Sequence, residues 1–377
     1  MNDCIRKIYL NNAATSWPKP SCVAEAMAKA VCRMPGAANR GGIQDFDVFD
    51  AVRKELAECM GISGPEQIAL GCNSTWGLNQ AIFGFPLKAG DVVLTTKAEH
   101  NAVLRPLYRL EKQGIKVVFL DVDKTGRVRE EDWDQALKKW KPKLCILIHA
   151  SNVTGAVNDV PVLTALAKKN HAAMLLDISQ TLGWIPVKLE EWGVDMAAFT
   201  GHKYLLGPQG TGGLYVRAGL SLKPYLLGGT GVQSDRKEMP EEMPLHLEAG
   251  TGNEPSYYGL LTALRWTREH PLEREKTDDL VRYLKEGLEK LGCYVIAPEG
   301  TVTPVVSFVV PGQTSSEVGD ILTGSYDIIC RTGLHCAPDI MPDLGIQGGT
   351  VRLSLSRFTT KEEVDQVLAA VEDIVES

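Results

Sequence analysis

The sequence predicts an α/β fold: a large domain built on a mostly parallel sheet flanked by helices, with a smaller α+β domain after it. Two observations carry this. Between residues 91 and 177, short apolar runs alternate with amphipathic stretches of helical length, the pattern of a parallel sheet covered on both faces. After about Asn253 the chain turns to long charged helical stretches and scattered short strands. At 377 residues it is long enough for roughly two domains and a full core. The expected large domain is 16–254, and the small one is 1–15 together with 255–377.

Taken in order, Ile8-Tyr9-Leu10 is a short strand that enters a small-residue loop, Asn11 to Thr15. Pro18 and Pro20 introduce a helix to about Cys32. A Gly/Asn/Arg loop over 35–42 leads into an amphipathic helix from about Phe46 to Met60. Gln67 to Leu70 is a strand, Gly71 to Thr75 a polar turn, and Trp76 to Phe83 a helix. Strands then begin at Asp91, Lys116, Leu144 and Ala172. Between them lie helices over Glu99 to Gln113, Glu130 to Trp140 and Val160 to Lys169. Met196 to Phe199 and Gly213 to Val216 are two further strands. One helical stretch is expected from Pro255 to Leu291, then strands at Tyr294 to Ile296 and Val305 to Val310. A helix from about Ser315, strands near Ile328 and at Val351 to Leu355, and a helix from Thr360 to Val375 complete the chain. Glu362 and Glu363 in the first turn of that helix suit its dipole.

Composition excludes several classes of function. A net charge of −7 and no basic stripe argue against a nucleic-acid surface. No apolar run approaches the roughly 18 to 20 residues of a membrane span, and the first residues lack an apolar signal core. The nine cysteines contain no C-x-x-C pair, which points to free thiols in a reducing cytoplasm and not to disulfides or zinc. Cys22, Cys32, Cys59 and Cys145 are expected to fill core space. The seven histidines show no metal-ligand spacing, so no metal is expected.

In open sheets of this kind, ligands bind beyond the carboxyl ends of the strands. The polar clusters fall there: Ser74-Thr75, Glu99-His100-Asn101, Ser151-Asn152 and Asp177. Between the strands at 196–199 and 213–216 lies Thr200-Gly201-His202-Lys203, with five glycines across 199–216. Glycines permit left-handed backbone and close approach to a ligand. A lysine held at a strand end loses solvent and its proton, and becomes a nucleophile toward carbonyls. A solvated lysine in a glycine-rich hairpin is the bland alternative. Asp177 breaks that tie. Pyridoxal phosphate needs an acid beside its pyridinium nitrogen, and its phosphate needs hydroxyls at a helix N-terminus, which Ser74 and Thr75 supply. His100, at a helix start, is placed either to stack on the ring or merely to cap the helix. Near the end, Arg331-Thr332-Gly333-Leu334-His335-Cys336 sets a cysteine between a histidine and Pro338, close to an arginine. Positive neighbours favour thiolate, the nucleophilic form. Cys330 ends an apolar strand and reads as inert. Arg352 lies on a strand, and its fork suits a carboxylate.

These motifs, in register, resemble a class V pyridoxal-phosphate family, the cysteine desulfurases and selenocysteine lyases, in the group with a short loop around its cysteine. The resemblance rests on 9–15, His149 to Gly155, Asp177 to Gln180, Gly201-His202-Lys203, Glu248-Ala249-Gly250-Thr251 and Arg331 to Cys336. It spans nearly the whole chain and implies fold type I. It implies that Lys203 carries the cofactor and moves the Cα proton, that Asp177 faces the pyridinium nitrogen, that Gln180 reaches the ring hydroxyl and that His100 stacks on the ring. Ser74, Thr75, Thr200 and His202 join the cofactor-binding set, with Thr251 contributed by a second subunit of a homodimer. Asn152 and Arg352 are expected to bind the substrate carboxylate, with Arg331 beside the nucleophile. Cys336 would attack sulfur or selenium and pass it, as a persulfide in the sulfur case, to an acceptor protein. L-cysteine and L-selenocysteine remain alternative substrates, and an aminotransferase, a β-lyase or a non-catalytic scaffold remain alternative readings. Two departures stand out: Asn11 where the family often has an acid outside the core chemistry, and Trp76 where a polar residue is common.

Overall fold

The alternation becomes a seven-stranded sheet in the computed structural model, which describes residues 7–33, 46–296, 298–300 and 302–377. The expected loop at 35–42 lies outside the described residues. In chain order come β1 (Ile8–Tyr9), α1 (Ser21–Val31), α2 (Val48–Met60), β2 (Ile68–Gly71), α3 (Ser74–Gly84), β3 (Val92–Thr96), α4 (Asn101–Glu111), β4 (Lys116–Leu120) and α5 (Glu130–Trp140). Next are β5 (Leu144–Ile148), α6 (Val160–Lys169), β6 (Ala173–Asp177), β7 (Met196–Thr200) and β8 (Gly212–Val216). The large sheet runs β2-β8-β7-β6-β5-β3-β4, parallel from β7 to β4, with β8 antiparallel to both β7 and β2.

The central strands are apolar without interruption because both faces are covered. In β6, Leu175 enters the core under α3 and α4, while Met174 and Leu176 enter the opposite core with α2, α5 and α6. Successive side chains point to opposite faces, so neither face can tolerate a polar residue until the strand ends at Asp177.

The second half comprises α7 (Glu254–Glu269), α8 (Arg274–Lys290), β9 (Tyr294–Ile296), β10 (Val305–Val309), α9 (Ser315–Tyr326), β11 (Ile328–Ile329), β12 (Arg331–Gly333), α10 (Ile340–Asp343), β13 (Thr350–Ser354) and α11 (Lys361–Glu376). Strands β12-β13-β10-β9 form an antiparallel sheet, backed by Leu284 and Leu288 of α8, Leu322 of α9 and Val367 and Val371 of α11. β1 pairs in parallel with β11, so Ile8 and Leu10 enter this smaller core.

Three expectations change. The single helical stretch from 255 to 291 breaks at His270, ahead of Pro271, which disfavours helical backbone in the residue before it. Its first half, α7, puts Tyr257, Leu260, Leu261 and Leu264 into the larger core. We therefore propose drawing the domain boundary after Glu269 rather than at 254. Cys32 and Cys59 are exposed and Cys22 is half-buried, so of the four cysteines expected to fill the core only Cys145 is fully buried. All eight described cysteines are free. Among the described residues no helix is long and apolar enough to cross a membrane, and no cluster of potential metal ligands occurs.

Candidate active site

Strands β3, β5, β6 and β7 end side by side, and the polar residues that follow them line one cavity of about 220 Å³. Ser74, Thr75, His100, Asn152, Asp177, Gln180, Thr200, His202, Lys203, Arg331 and Arg352 all reach it. Cys336 stands outside it, within hydrogen-bond reach of Arg331. Thr251 does not reach it; it is exposed, in the segment that follows Glu248. Glu248 anchors that segment by a two-oxygen pairing with Arg53 at 2.7 and 2.8 Å, and by accepting from the Leu70 amide.

At one end of the cavity, Asn73 caps α3 by accepting from the Trp76 amide at 2.9 Å. Ser74 donates to Asp177 Oδ1 at 3.4 Å, and Ser179 donates to the same oxygen through its amide (2.9 Å) and its hydroxyl (2.5 Å). All three bonds fall on Oδ1. The glycines of 199–216 serve this region differently from expectation. Only Gly210 takes a positive φ, +83°. Gly212 is needed for close approach, since a Cβ there would lie 2.6 Å from Asn73 Cα. The room it leaves admits the start of α3. Trp76 lies over Gly71 and packs into the core beneath α3.

Lys203 is half-buried in the cavity wall. Burial lowers its amine to about 8; the Asp177 carboxylate opposes this shift, and the Arg352 and Arg331 guanidiniums add to it. The carbonyl of His202 accepts from the Ser16 amide at 3.0 Å and the Thr15 hydroxyl at 3.1 Å, which ties the opening loop to the lysine turn. Gln180 donates to the Ala13 carbonyl at 3.1 Å. Thr200 is buried and donates to the Thr211 carbonyl at 3.4 Å. His100 both caps α4, accepting from the Ala102 amide at 3.0 Å, and lines the cavity, so its two readings are compatible. Burial, then the Lys203 charge, holds it neutral to about pH 4.

The small sheet supplies the opposite wall. Register places Arg331 directly across from Arg352. Arg352 is fully buried and donates to the Asn152 carbonyl (2.9 Å) and Asn11 Oδ1 (3.2 Å). Burial and the neighbouring Arg331 lower it to about 10. Arg331 Nη2 stands 2.9 Å from Cys336 Sγ. His335 and Cys336 both take left-handed backbone, φ 51° and 58°, a conformation costing on the order of 1 kcal/mol or more each for such residues. Three bonds hold it: Asn152 to the His335 carbonyl (2.7 Å), the Asn101 amide to the Cys336 carbonyl (2.6 Å), and His335 Nε2 with Thr350 Oγ1 (2.7 Å). His335 therefore turns inward and is kept neutral by burial, down to about pH 2. The cation beside the thiol is Arg331, not the histidine. Burial pushes the Cys330 thiol up to about 11, in keeping with its inert reading.

The sequence reading named two residues here without giving either a role. Glu99 is fully buried, accepts from Thr96 Oγ1 (2.8 Å) and the Ile148 amide (3.0 Å), and so joins the ends of β3 and β5; burial raises its carboxyl to about 8. Its signal was an acid three residues past a strand end, in a polar cluster. Asn11, noted only as a harmless departure, touches Arg352.

Titration of this region gives one prediction. Burial, the leading cause in each case, keeps His100, His149, His202 and His335 unprotonated down to about pH 4 or lower. In the unfolded chain each gains a proton below about 6.5. Unfolding thus takes up protons, and stability is lost as pH falls from 6.5 toward 4. Glu99 acts oppositely, since its folded carboxyl keeps a proton up to about pH 8 that the unfolded chain releases near 4.5. The net uptake is about three protons, a loss of roughly 4 kcal/mol per pH unit around pH 5. Urea midpoints of the cofactor-free protein at pH 7 and pH 5 measure it; equal midpoints would refute it.

Comparison with known proteins places this geometry. The family model described as aminotransferase class-V matches residues 8–367. A probable cysteine desulfurase of Pyrococcus abyssi is 31% identical, over 98% of this chain and 94% of that protein. The cysteine desulfurase IscS of Dictyoglomus turgidum is 30% identical, over 98% and 95%. The apo structure of a cysteine desulfurase from Thermococcus onnurineus superposes with a TM-score of 0.91 at 32% identity, covering 98% of this chain and 95% of that one. The family depends on pyridoxal 5′-phosphate, and the residues present fit that group. Gln180 Oε1, His202 Nδ1, Asn152 Oδ1 and Arg352 Nε are buried without hydrogen-bond partners, on side chains that all line one cavity. Buried polar atoms are normally satisfied, so four such groups around one space mark a polar ligand's seat. On the match along its length, the shared fold and the lysine–aspartate cavity, this chain belongs to the class V aminotransferase family, on the branch of the cysteine desulfurases.

Proposed function

We propose that the protein is a pyridoxal-phosphate-dependent cysteine desulfurase that converts L-cysteine to L-alanine and takes the sulfur onto Cys336 as a persulfide. The observation that carries this is the Cys336 thiol, 2.9 Å from Arg331 at the edge of the cavity that holds Lys203 and Asp177. An aminotransferase has no use for a thiol there.

Lys203 would hold the cofactor, with Asp177 at its ring nitrogen, Gln180 at its ring hydroxyl and His100 against its face. The start of α3 at Ser74 and Thr75, with Thr200 and His202, would hold the phosphate. When bound, the cofactor supplies an electron sink for the substrate's Cα carbanion. Lys203, with its amine at about 8, is suited to take the Cα proton near neutral pH and return it. Arg352, with Asn152 beside it, would receive the substrate carboxylate. Thiolate Cys336 attacks the substrate sulfur; the S–S bond forms as the Cβ–S bond breaks, and the three-carbon fragment gains protons to leave as alanine. Thr251, exposed and away from its own subunit's cavity, would complete the site of a second subunit in a homodimer. Cytoplasmic residence fits the eight free thiols. The test is alanine formed from L-cysteine and from L-selenocysteine by the cofactor-loaded protein, with sulfide or selenide measured alongside. Alanine from neither would refute the reading; alanine from selenocysteine alone would make the protein a selenocysteine lyase.

The role of Arg352 yields a prediction. Its two hydrogen-bond acceptors, the Asn152 carbonyl and Asn11 Oδ1, are both neutral, so its charge is left for the substrate. Arg352→Gln would remove that charge and leave the substrate carboxylate without its partner. A charged hydrogen bond of this kind is worth about 1.5 to 3 kcal/mol, so KM for L-cysteine should rise about tenfold or more, with kcat within about twofold. An unchanged KM would remove Arg352 from the carboxylate site.

A further inference from the structure

Cys336 stands between two chambers. The inner one is the cavity already described. The outer one, about 400 Å³, is lined by Cys336 itself and by Phe83, Asn101, Arg105 and Arg109, and shares His100 with the inner chamber. The thiol belongs to the outer lining, whereas Arg331, which touches its sulfur, belongs to the inner one. The nucleophilic residue thus adjoins the outer chamber while its guanidinium partner lines the inner one.

The wall of the outer chamber is basic. Arg105 and Arg109 lie one turn apart on α4, and both are exposed. Among the described residues neither has a carboxylate partner. Arg109 is held over the Phe83 ring, 5.2 Å from its centroid, and no acidic residue lines the chamber. Two guanidiniums above an apolar floor concentrate anions and fit carboxylates.

We propose that this outer chamber is the acceptor site and that it selects a thiol carrying carboxylates. This rests on the desulfurase reading. The acceptor thiolate attacks the terminal sulfur of the Cys336 persulfide. A new S–S bond forms on the acceptor, the bond between the two sulfurs of the persulfide breaks, and its electron pair returns to Cys336 as thiolate beside Arg331. The transfer has no net oxidation or reduction and needs no further reagent.

The experiment separates the two readings. The holoenzyme is charged with one equivalent of L-cysteine, the alanine burst is measured, and persulfide discharge is then timed with mercaptosuccinate, 2-mercaptoethanol and cysteamine. The same is done with R105E/R109E and R105Q/R109Q. Comparing ratios across variants cancels the intrinsic reactivity of each thiol. We expect the mercaptosuccinate rate, relative to 2-mercaptoethanol, to fall about tenfold in R105E/R109E and by less in R105Q/R109Q, with cysteamine moving the other way. In the wild type, raising salt from about 0.05 to 0.5 M should erase most of the preference for the dianion, which requires no variant to fold. An alanine burst without charge discrimination, or equal changes for all three thiols, overturns the acceptor site alone. No burst overturns the desulfurase reading and the acceptor site with it.

Discussion

Cys336→Ser is expected to lower alanine formation from L-cysteine by about 10³-fold or more and to abolish persulfide on the protein. Serine is nearly isosteric, and the left-handed backbone at this position is set by bonds to the His335 and Cys336 carbonyls, not by the thiol. The Arg331 guanidinium stays where it is. What changes is the chemistry: an alcohol is scarcely ionised near neutral pH, even beside a cation, and is a poor nucleophile toward sulfur. Stability and cofactor loading should therefore match the wild type, as read by urea midpoint and cofactor absorbance, while alanine and persulfide vanish together. A variant that kept near-normal alanine production would strip Cys336 of its role and point to β-elimination or transamination in the inner chamber.

How much of this was legible beforehand follows from what each residue answers to. β6 could be read because Met174, Leu175 and Leu176, buried on both faces, leave an apolar run, and Asp177 because an acid at the end of such a run needs a reason. Lys203 and Ser74 announced themselves as polar groups in strand-to-helix or strand-to-strand turns. β12 could not be read: Arg331-Thr332-Gly333 has no apolar pattern, and it is a strand only because β13 offers it a partner. The cross-strand pairing of Arg331 with Arg352 was invisible for the same reason. Asn11 and Arg352 lie 341 positions apart, and their contact exists only once β1 joins the small sheet's unit through β11. His335 misled because adjacency in sequence says nothing of direction; its ring goes to Thr350, not toward the thiol. The exposed Cys32 and Cys59 show the limit of a propensity: cysteine is a frequent core residue, but a helix end (Cys32) and a helix's outward face (Cys59) meet solvent too.

Lys203→Ala should be the other severe variant, lowering turnover about 10³- to 10⁴-fold, because it removes both the covalent hold on the cofactor and the proton carrier at Cα. The two losses can be separated. Borohydride reduction of the loaded wild type should leave the cofactor's mass on the peptide containing Lys203, and on no peptide of the variant. Added methylamine should restore part of the activity in the variant without restoring the covalent link, since a free amine can carry the proton but is not tied to the chain. The environment of Lys203 adds a signature of its own. The amine must be neutral to add to the cofactor's aldehyde. Burial, with Arg352 and Arg331 nearby, brings it to about 8 against the pull of Asp177. Loading of the cofactor-free wild type should then accelerate as pH rises and level off just above 8, not near 10.5 as for a solvated lysine. Replacing Asp177 by Asn removes the neighbour that most favours the charged amine, so the midpoint of that profile should move lower still. Loading that keeps accelerating toward pH 10, or mass found on another lysine, would mean that this amine is not the one that holds the cofactor.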